Sequence, residues 1–120
     1  MSPITLWHNP RCSKSRATAK LLEENNVEAR IVRYLDETLS KDELENVLDM
    51  LSMKPRELMR TKEDIYKELD LKNEYDHHKL IEAMINNPKL IERPIVIKDN
   101  KAVIGRPIEN VINLLNIKEK

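Results

Sequence analysis

Two short apolar runs, Pro94-Ile95-Val96-Ile97-Lys98 and Lys101-Ala102-Val103-Ile104, are separated only by Asp99-Asn100. Both turn residues tolerate positive φ, so the pair reads as a tight antiparallel hairpin. Near the other end of the chain, Ile4-Thr5-Leu6-Trp7-His8 alternates and is rich in strand formers. Asn9-Pro10 breaks that run, and Ser13 or Ser15 can cap a helix that reaches about Asn26 with Ala17, Leu21 and Leu22 on one face. Ala29 to Tyr34, with Ile31-Val32, reads as another strand. The first two strands are joined by a helix, which makes them parallel through a right-handed crossover. A parallel pair and an antiparallel hairpin in one small chain require a mixed sheet.

Between these blocks lies a helical stretch from about residue 36 to 90. Ser40-Lys41-Asp42-Glu43 is a capping box, followed by Leu44, Val47, Leu48 and Leu51 at helical spacing. Pro55 suits the first turn of a short helix carrying Leu58 and Met59. Thr61-Lys62-Glu63-Asp64 reads as a second capping pattern ahead of Ile65 and Leu69. Asp76 caps a helix bearing Leu80, Ile81, Met84 and Ile85, with Pro88 just beyond. Gly105-Arg106-Pro107 opens a last helix with Ile108, Val111, Ile112 and Leu115 inward. The expected fold is α/β, β-α-β-[helical insert]-β-β-α, which is the order of the thioredoxin-like fold with a four-stranded mixed sheet. No linker or repeat divides the chain, so residues 1–120 are expected to be a single domain with the insert inside it.

Composition excludes several function classes. The lone glycine, Gly105, permits neither a Walker A loop nor a dinucleotide fingerprint. Lys+Arg 21 balances Asp+Glu 21, which argues against a nucleic-acid binder. No apolar run is long enough to span a bilayer, and Met1-Ser2-Pro3-Ile4-Thr5-Leu6 lacks an export signal. With one cysteine there can be no internal disulfide, and the expected location is the cytoplasm. Three histidines and one cysteine without regular spacing give no metal site.

That cysteine, Cys12, falls between a strand end and a helix start, where unpaired N–H groups and the helix dipole favour an anion and lower a thiol pKa. Arg11, Lys14 and Arg16 add positive charge. The alternative is a buried structural cysteine, but the polar neighbours Asn9, Pro10, Ser13 and Ser15 are not a core segment. Ser15 occupies the place of the second sulfur in a C-x-x-C pair. An oxidised Cys12 must therefore be reduced by an external thiol or redox protein. Arg93, ahead of Pro94, and Arg106, between Gly105 and Pro107, lie at constrained strand ends suited to holding an oxyanion; Arg60 has a weaker local case. His8 could tune the thiolate or orient the loop, or be a partly exposed strand-end histidine.

His8-Asn9-Pro10-Arg11-Cys12-Ser13-Lys14-Ser15-Arg16 resembles the active-site loop of the glutaredoxin-coupled arsenate reductase family. The similarity extends through Glu57-Leu58-Met59-Arg60, Asn87-Pro88-Lys89-Leu90-Ile91-Glu92-Arg93-Pro94-Ile95-Val96 and Val103-Ile104-Gly105-Arg106-Pro107. The resemblance implies that Cys12 is the nucleophile forming a thioarsenate adduct, activated by His8, with Arg60, Arg93 and Arg106 holding the arsenate oxygens. It implies glutathione as co-substrate and glutaredoxin as the resolving partner, in a monomer with no bound cofactor. Pro94 matches the proline that thioredoxin-like folds keep cis beside the thiol. The sequence also resembles Spx-type regulators, which bind RNA polymerase. Those commonly carry a C-x-x-C switch and lack the arginine found here after Gly105, so Ser15 and Arg106 favour the enzyme. A further alternative is a thiol oxidoreductase acting on another oxyanion or on a glutathione mixed disulfide.

Overall fold

The computed structural model describes residues 4–36 and 39–117; the start of the N-terminal stretch read for an export signal, and residues 37 and 38 of the expected insert, lie outside them. The described residues fall into two compact units, one drawn from Met1–Glu37 and Arg93–Lys120, the other from Thr38–Glu92.

The first unit contains β1 (Ile4–Trp7), α1 (Ser13–Glu24), β2 (Arg30–Val32), β3 (Ile95–Lys98), β4 (Lys101–Ile104) and α6 (Glu109–Leu115). Its four strands are ordered β2-β1-β3-β4. β1 runs parallel to β2, with Leu6 opposite Ile31, and antiparallel to β3, with Leu6 opposite Val96. β3 and β4 form the antiparallel hairpin, and its turn residues Asp99 and Asn100 have φ of 52° and 62°. Both central positions thus take the left-handed conformation that a two-residue loop between right-twisted strands demands. The sequence reading of a mixed four-stranded sheet holds.

β1 and β3 are the inner strands, and Leu6, Ile95 and Val96 on them are fully buried. Leu6 and Val96 pack with Leu21 and Leu22 of α1 and with Val111 and Leu115 of α6. The stripe that α1 turns inward is Ser15, Thr18, Leu21 and Leu22. Ala17, expected on that face, is exposed. Polar residues displace it because their hydrogen bonds are met locally: the Thr18 hydroxyl donates to the Lys14 carbonyl at 3.1 Å, and the Ser15 hydroxyl serves the preceding loop.

The second unit contains α2 (Lys41–Leu51), α3 (Pro55–Leu58), α4 (Asp64–Glu68) and α5 (His77–Asn86), with 3-10 turns at Leu71–Asn73 and Pro88–Leu90. The Ser40 box forms as read, with the Glu43 N–H donating to Ser40 Oγ and the Ser40 N–H to Glu43 Oε1. Asp76 Oδ1 accepts from the His78 N–H at 2.9 Å. The Thr61 cap does not form. α4 instead starts after Glu63 with no side-chain cap, which turns Tyr66 inward and leaves Leu69 exposed. The buried Tyr66 is anchored by Arg56, whose guanidinium also donates to the Leu71 and Glu74 carbonyls.

Gly105 is where close packing tolerates no side chain. A Cβ there would meet Pro94 Cγ at 2.7 Å, Thr18 Oγ1 at 3.1 Å and Val111 Cγ2 at 3.3 Å. The obstacle is space between Pro94, α1 and α6. Gly105→Ala should cost about 1–3 kcal/mol, as overpacked sites do. Urea denaturation reads this as a lowered midpoint; an unshifted midpoint would mean the three neighbours yield freely.

Candidate active site

β1 ends at Trp7, and the His8 N–H continues the ladder to the Val32 carbonyl at 2.8 Å. The chain then closes a compact loop around two buried polar residues, Asn9 and Ser15. Asn9 Oδ1 accepts from the Arg11 N–H at 3.0 Å, a side-chain-mimicked turn, and the Asn9 carbonyl accepts from the Cys12 N–H at 3.0 Å. Ser15 Oγ accepts from the Asn9 N–H at 3.0 Å and pairs with His8 Nδ1 at 2.7 Å. His8 therefore reaches the loop through Ser15. Burial, and then the positive charge of Arg33, hold its pKa below the ordinary value, which favours the neutral ring.

This loop sets Cys12 at the N-cap of α1. The expectation that Ser13 or Ser15 caps the helix is corrected: Ser13 begins the helix, and Ser15 is committed to Asn9 and His8. No side-chain hydrogen bond closes the cap, and no acidic residue occupies the first turn. A sulfur thus stands where a capping oxygen ordinarily accepts from the second or third helical N–H. Cys12 is 9% exposed, and burial by itself would push its thiol up. The opposing effects win. The Ser15 N–H, the Arg93 guanidinium, the Lys14 N–H and the Arg106 guanidinium together bring the pKa from 9.0 down to about 7. About half of the sulfur is then thiolate at pH 7, against roughly one part in a hundred at the ordinary value.

The two arginines come from the ends of the hairpin. Arg106 Nη2 lies 3.1 Å from Cys12 Sγ, and its Nε donates to the Arg93 carbonyl at 2.7 Å. The Gly105 N–H donates to the Pro94 carbonyl at 2.8 Å, which extends the β3–β4 pairing to these residues. The Arg93–Pro94 bond is cis, as is Arg106–Pro107. Arg93 Nε and Nη1 are buried and have no hydrogen-bond partner among the described residues. Burial alone would disfavour the charge of this guanidinium, but Cys12 and Tyr34 more than offset that and raise its pKa. Buried N–H donors without an acceptor are uncommon and mark a place for an anion. Cationic donors beside an ionised sulfur suit a nucleophile that attacks an oxyanion.

The structure thus brings together Cys12, Arg93 and Arg106, supported by Ser15 and Pro94, with His8 behind Ser15. Arg60 belongs to the Thr38–Glu92 unit, where its Nε donates to Glu63 Oε1 at 3.1 Å and its Nη1 lies 4.0 Å from Glu92 Oε2. Asn9 is the structural residue that reading the sequence missed; an asparagine two residues ahead of a required turn N–H was the available signal. Among the described residues no group of three or more His, Cys, Asp or Glu could hold a metal, and no helix is long and apolar enough to cross a membrane.

Comparison with known proteins fits this geometry. The ArsC family profile matches residues 7–114. The chain is 50% identical over 114 residues to the uncharacterized protein YfgD of Escherichia coli K12, covering 93% of this chain and 96% of that one. It is 46% identical over 113 residues to an arsenate reductase of Neisseria meningitidis serogroup A, covering 92% and 97%. Among solved structures, an arsenate reductase from Vibrio cholerae superposes with a TM-score of 0.89 at 40% identity, covering 93% of this chain and 97% of that one.

Proposed function

Because the chain belongs to the ArsC family, we propose that it reduces arsenate to arsenite, with Cys12 as nucleophile and an external thiol as reductant. The observation that carries this reading is the Cys12 sulfur at a helix N-cap, 3.1 Å from the Arg106 guanidinium and beside the unpartnered donors of Arg93. The thiolate attacks arsenic, an S–As bond forms, and one arsenate oxygen leaves as water after protonation. Arg93 and Arg106 hold the remaining oxygens and stabilise their charge. By family resemblance Arg60 joins them.

Reduction of arsenic from the +5 to the +3 state takes two electrons, and a sulfur pair supplies them by becoming a disulfide. Cys12 is the only sulfur nucleophile in the chain, so the second thiol comes from outside. Ser15, where an internal partner would stand, is fully buried and committed to the loop. That observation disfavours a dithiol switch of the Spx type. Glutathione is the thiol that the family resemblance points to. It leaves a glutathione–Cys12 disulfide, and glutaredoxin returns the free thiolate by exchange.

The test is a coupled assay with arsenate, glutathione and glutaredoxin, followed through NADPH consumption by glutathione reductase. Arsenate-dependent consumption is expected, with a marked loss for Arg60→Ala. Absence of turnover with glutaredoxin and also with thioredoxin would sink the arsenate reading. Turnover with thioredoxin alone would overturn only the glutaredoxin coupling.

A further inference from the structure

A groove of about 560 Å³ opens between the first turns of α1 and the β4–α6 connection. It is lined by Lys14, Ala17, Arg106, Pro107, Ile108 and Glu109. Two of these residues also act on Cys12, Lys14 through its N–H and Arg106 through Nη2. The groove thus shares two lining residues with the surroundings of Sγ. The lining combines apolar area from Ala17, Pro107 and Ile108 with charges of both signs. Lys14 and Glu109 are exposed, and neither forms an ion pair with a described residue. Unspent opposite charges around an apolar floor fit a ligand that carries both a carboxylate and an ammonium group.

We propose that this groove docks the thiol co-substrate and selects a zwitterionic thiol such as glutathione, Lys14 taking a carboxylate and Glu109 the ammonium group. The proposal rests on the reading that Cys12 turns over with an external thiol. In turnover the docked thiol loses its proton and forms an S–S bond to Cys12 Sγ. The S–As bond breaks and its electron pair stays on arsenic, which leaves as arsenite. The groove's task is placement: it brings the second sulfur to the first at an effective concentration that free encounter does not reach.

Disulfide exchange tests this without arsenate. The Cys12 thiolate attacks one sulfur of a probe disulfide, the probe's S–S bond breaks, and one thiolate leaves with the electron pair. Mass spectrometry gives the rate of adduct formation for four probes: oxidised glutathione, neutral hydroxyethyl disulfide, cationic cystamine and anionic dithiodiglycolate. Each rate is divided by that of the neutral probe, so a change in the intrinsic reactivity of the sulfur cancels. Oxidised glutathione should be preferred over every other probe. Lys14→Ala and Glu109→Gln should each cut that preference about five-fold, of the size expected for a charged contact at a partly exposed site. Lys14→Arg should restore it. An unchanged preference in both variants, or an equal rate for glutathione and hydroxyethyl disulfide in the wild type, overturns the groove. Failure of arsenate turnover with the preference intact would instead fell the substrate assignment and leave the groove standing.

Discussion

Cys12→Ser should reduce arsenate-dependent thiol oxidation to background, a loss of about a thousand-fold or more. A serine hydroxyl is not ionised at neutral pH, and the environment that brings the thiol to about 7 starts from a far higher value for an alcohol. No other cysteine can take over. The substitution is informative because it should leave the fold intact. Cys12 occupies the N-cap of α1 without a side-chain cap bond, and serine is among the best residues for that position. Cys12→Ser should therefore unfold at the same temperature as the wild type or higher. Activity lost with stability retained isolates the chemistry of the sulfur from its packing. Residual turnover within ten-fold of the wild type would show that Cys12 is not the nucleophile.

What the sequence disclosed and what it withheld divide along a physical line. Features decided within a few residues were legible. The Asp99-Asn100 turn follows from the two-residue gap and from residue types that accept positive φ. The Ser40 box and the Asp76 cap are side-chain-to-backbone bonds over two or three residues. The position of Cys12 at a helix start follows from the Asn9-Pro10 break. Features decided by tertiary competition were read wrongly or not at all. Hydrophobicity alone puts Ala17 inside, yet Ser15 and Thr18 are buried because the loop and the Lys14 carbonyl satisfy their hydroxyls. Thr61-Lys62-Glu63-Asp64 has the letters of a cap, but α4 starts after Glu63, with Tyr66 buried and bonded to Arg56. The juxtaposition of Cys12 with Arg106 spans 94 residues. Residue-by-residue reading could say only that Arg93 and Arg106 were constrained at strand ends. Register supplies the rest: with Ile95 opposite Ile104, extending the hairpin by two steps, through Pro94 and Gly105, brings the Arg93 carbonyl to the Arg106 side chain.

That extension makes the thiolate's charge depend on the hairpin, and Arg106→Ala should expose the dependence. The side chain is exposed, so its removal opens no cavity, but it takes a charge-assisted donor from Sγ and a bond from the Arg93 carbonyl. The Cys12 pKa should rise from about 7 toward the ordinary thiol value. A raised pKa means less thiolate at every pH below it and no difference above both values. Iodoacetamide alkylation should therefore slow at pH 7 and converge with the wild type at alkaline pH. Arg93→Ala should raise the midpoint further, since its buried guanidinium acts more strongly on the sulfur. For arsenate, kcat/KM should fall about ten- to a hundred-fold in Arg106→Ala, the range for a lost charge-assisted hydrogen bond. Arg106→Lys should recover much of the alkylation profile and less of the arsenate activity, because an ammonium restores the charge but not the planar fork that spans two oxygens. If the alkylation midpoint stays near 7 in both alanine variants, the Ser15 and Lys14 amides alone hold the sulfur ionised. The arginines then act only on the substrate, and the coupling of nucleophile to oxyanion site through the hairpin is lost.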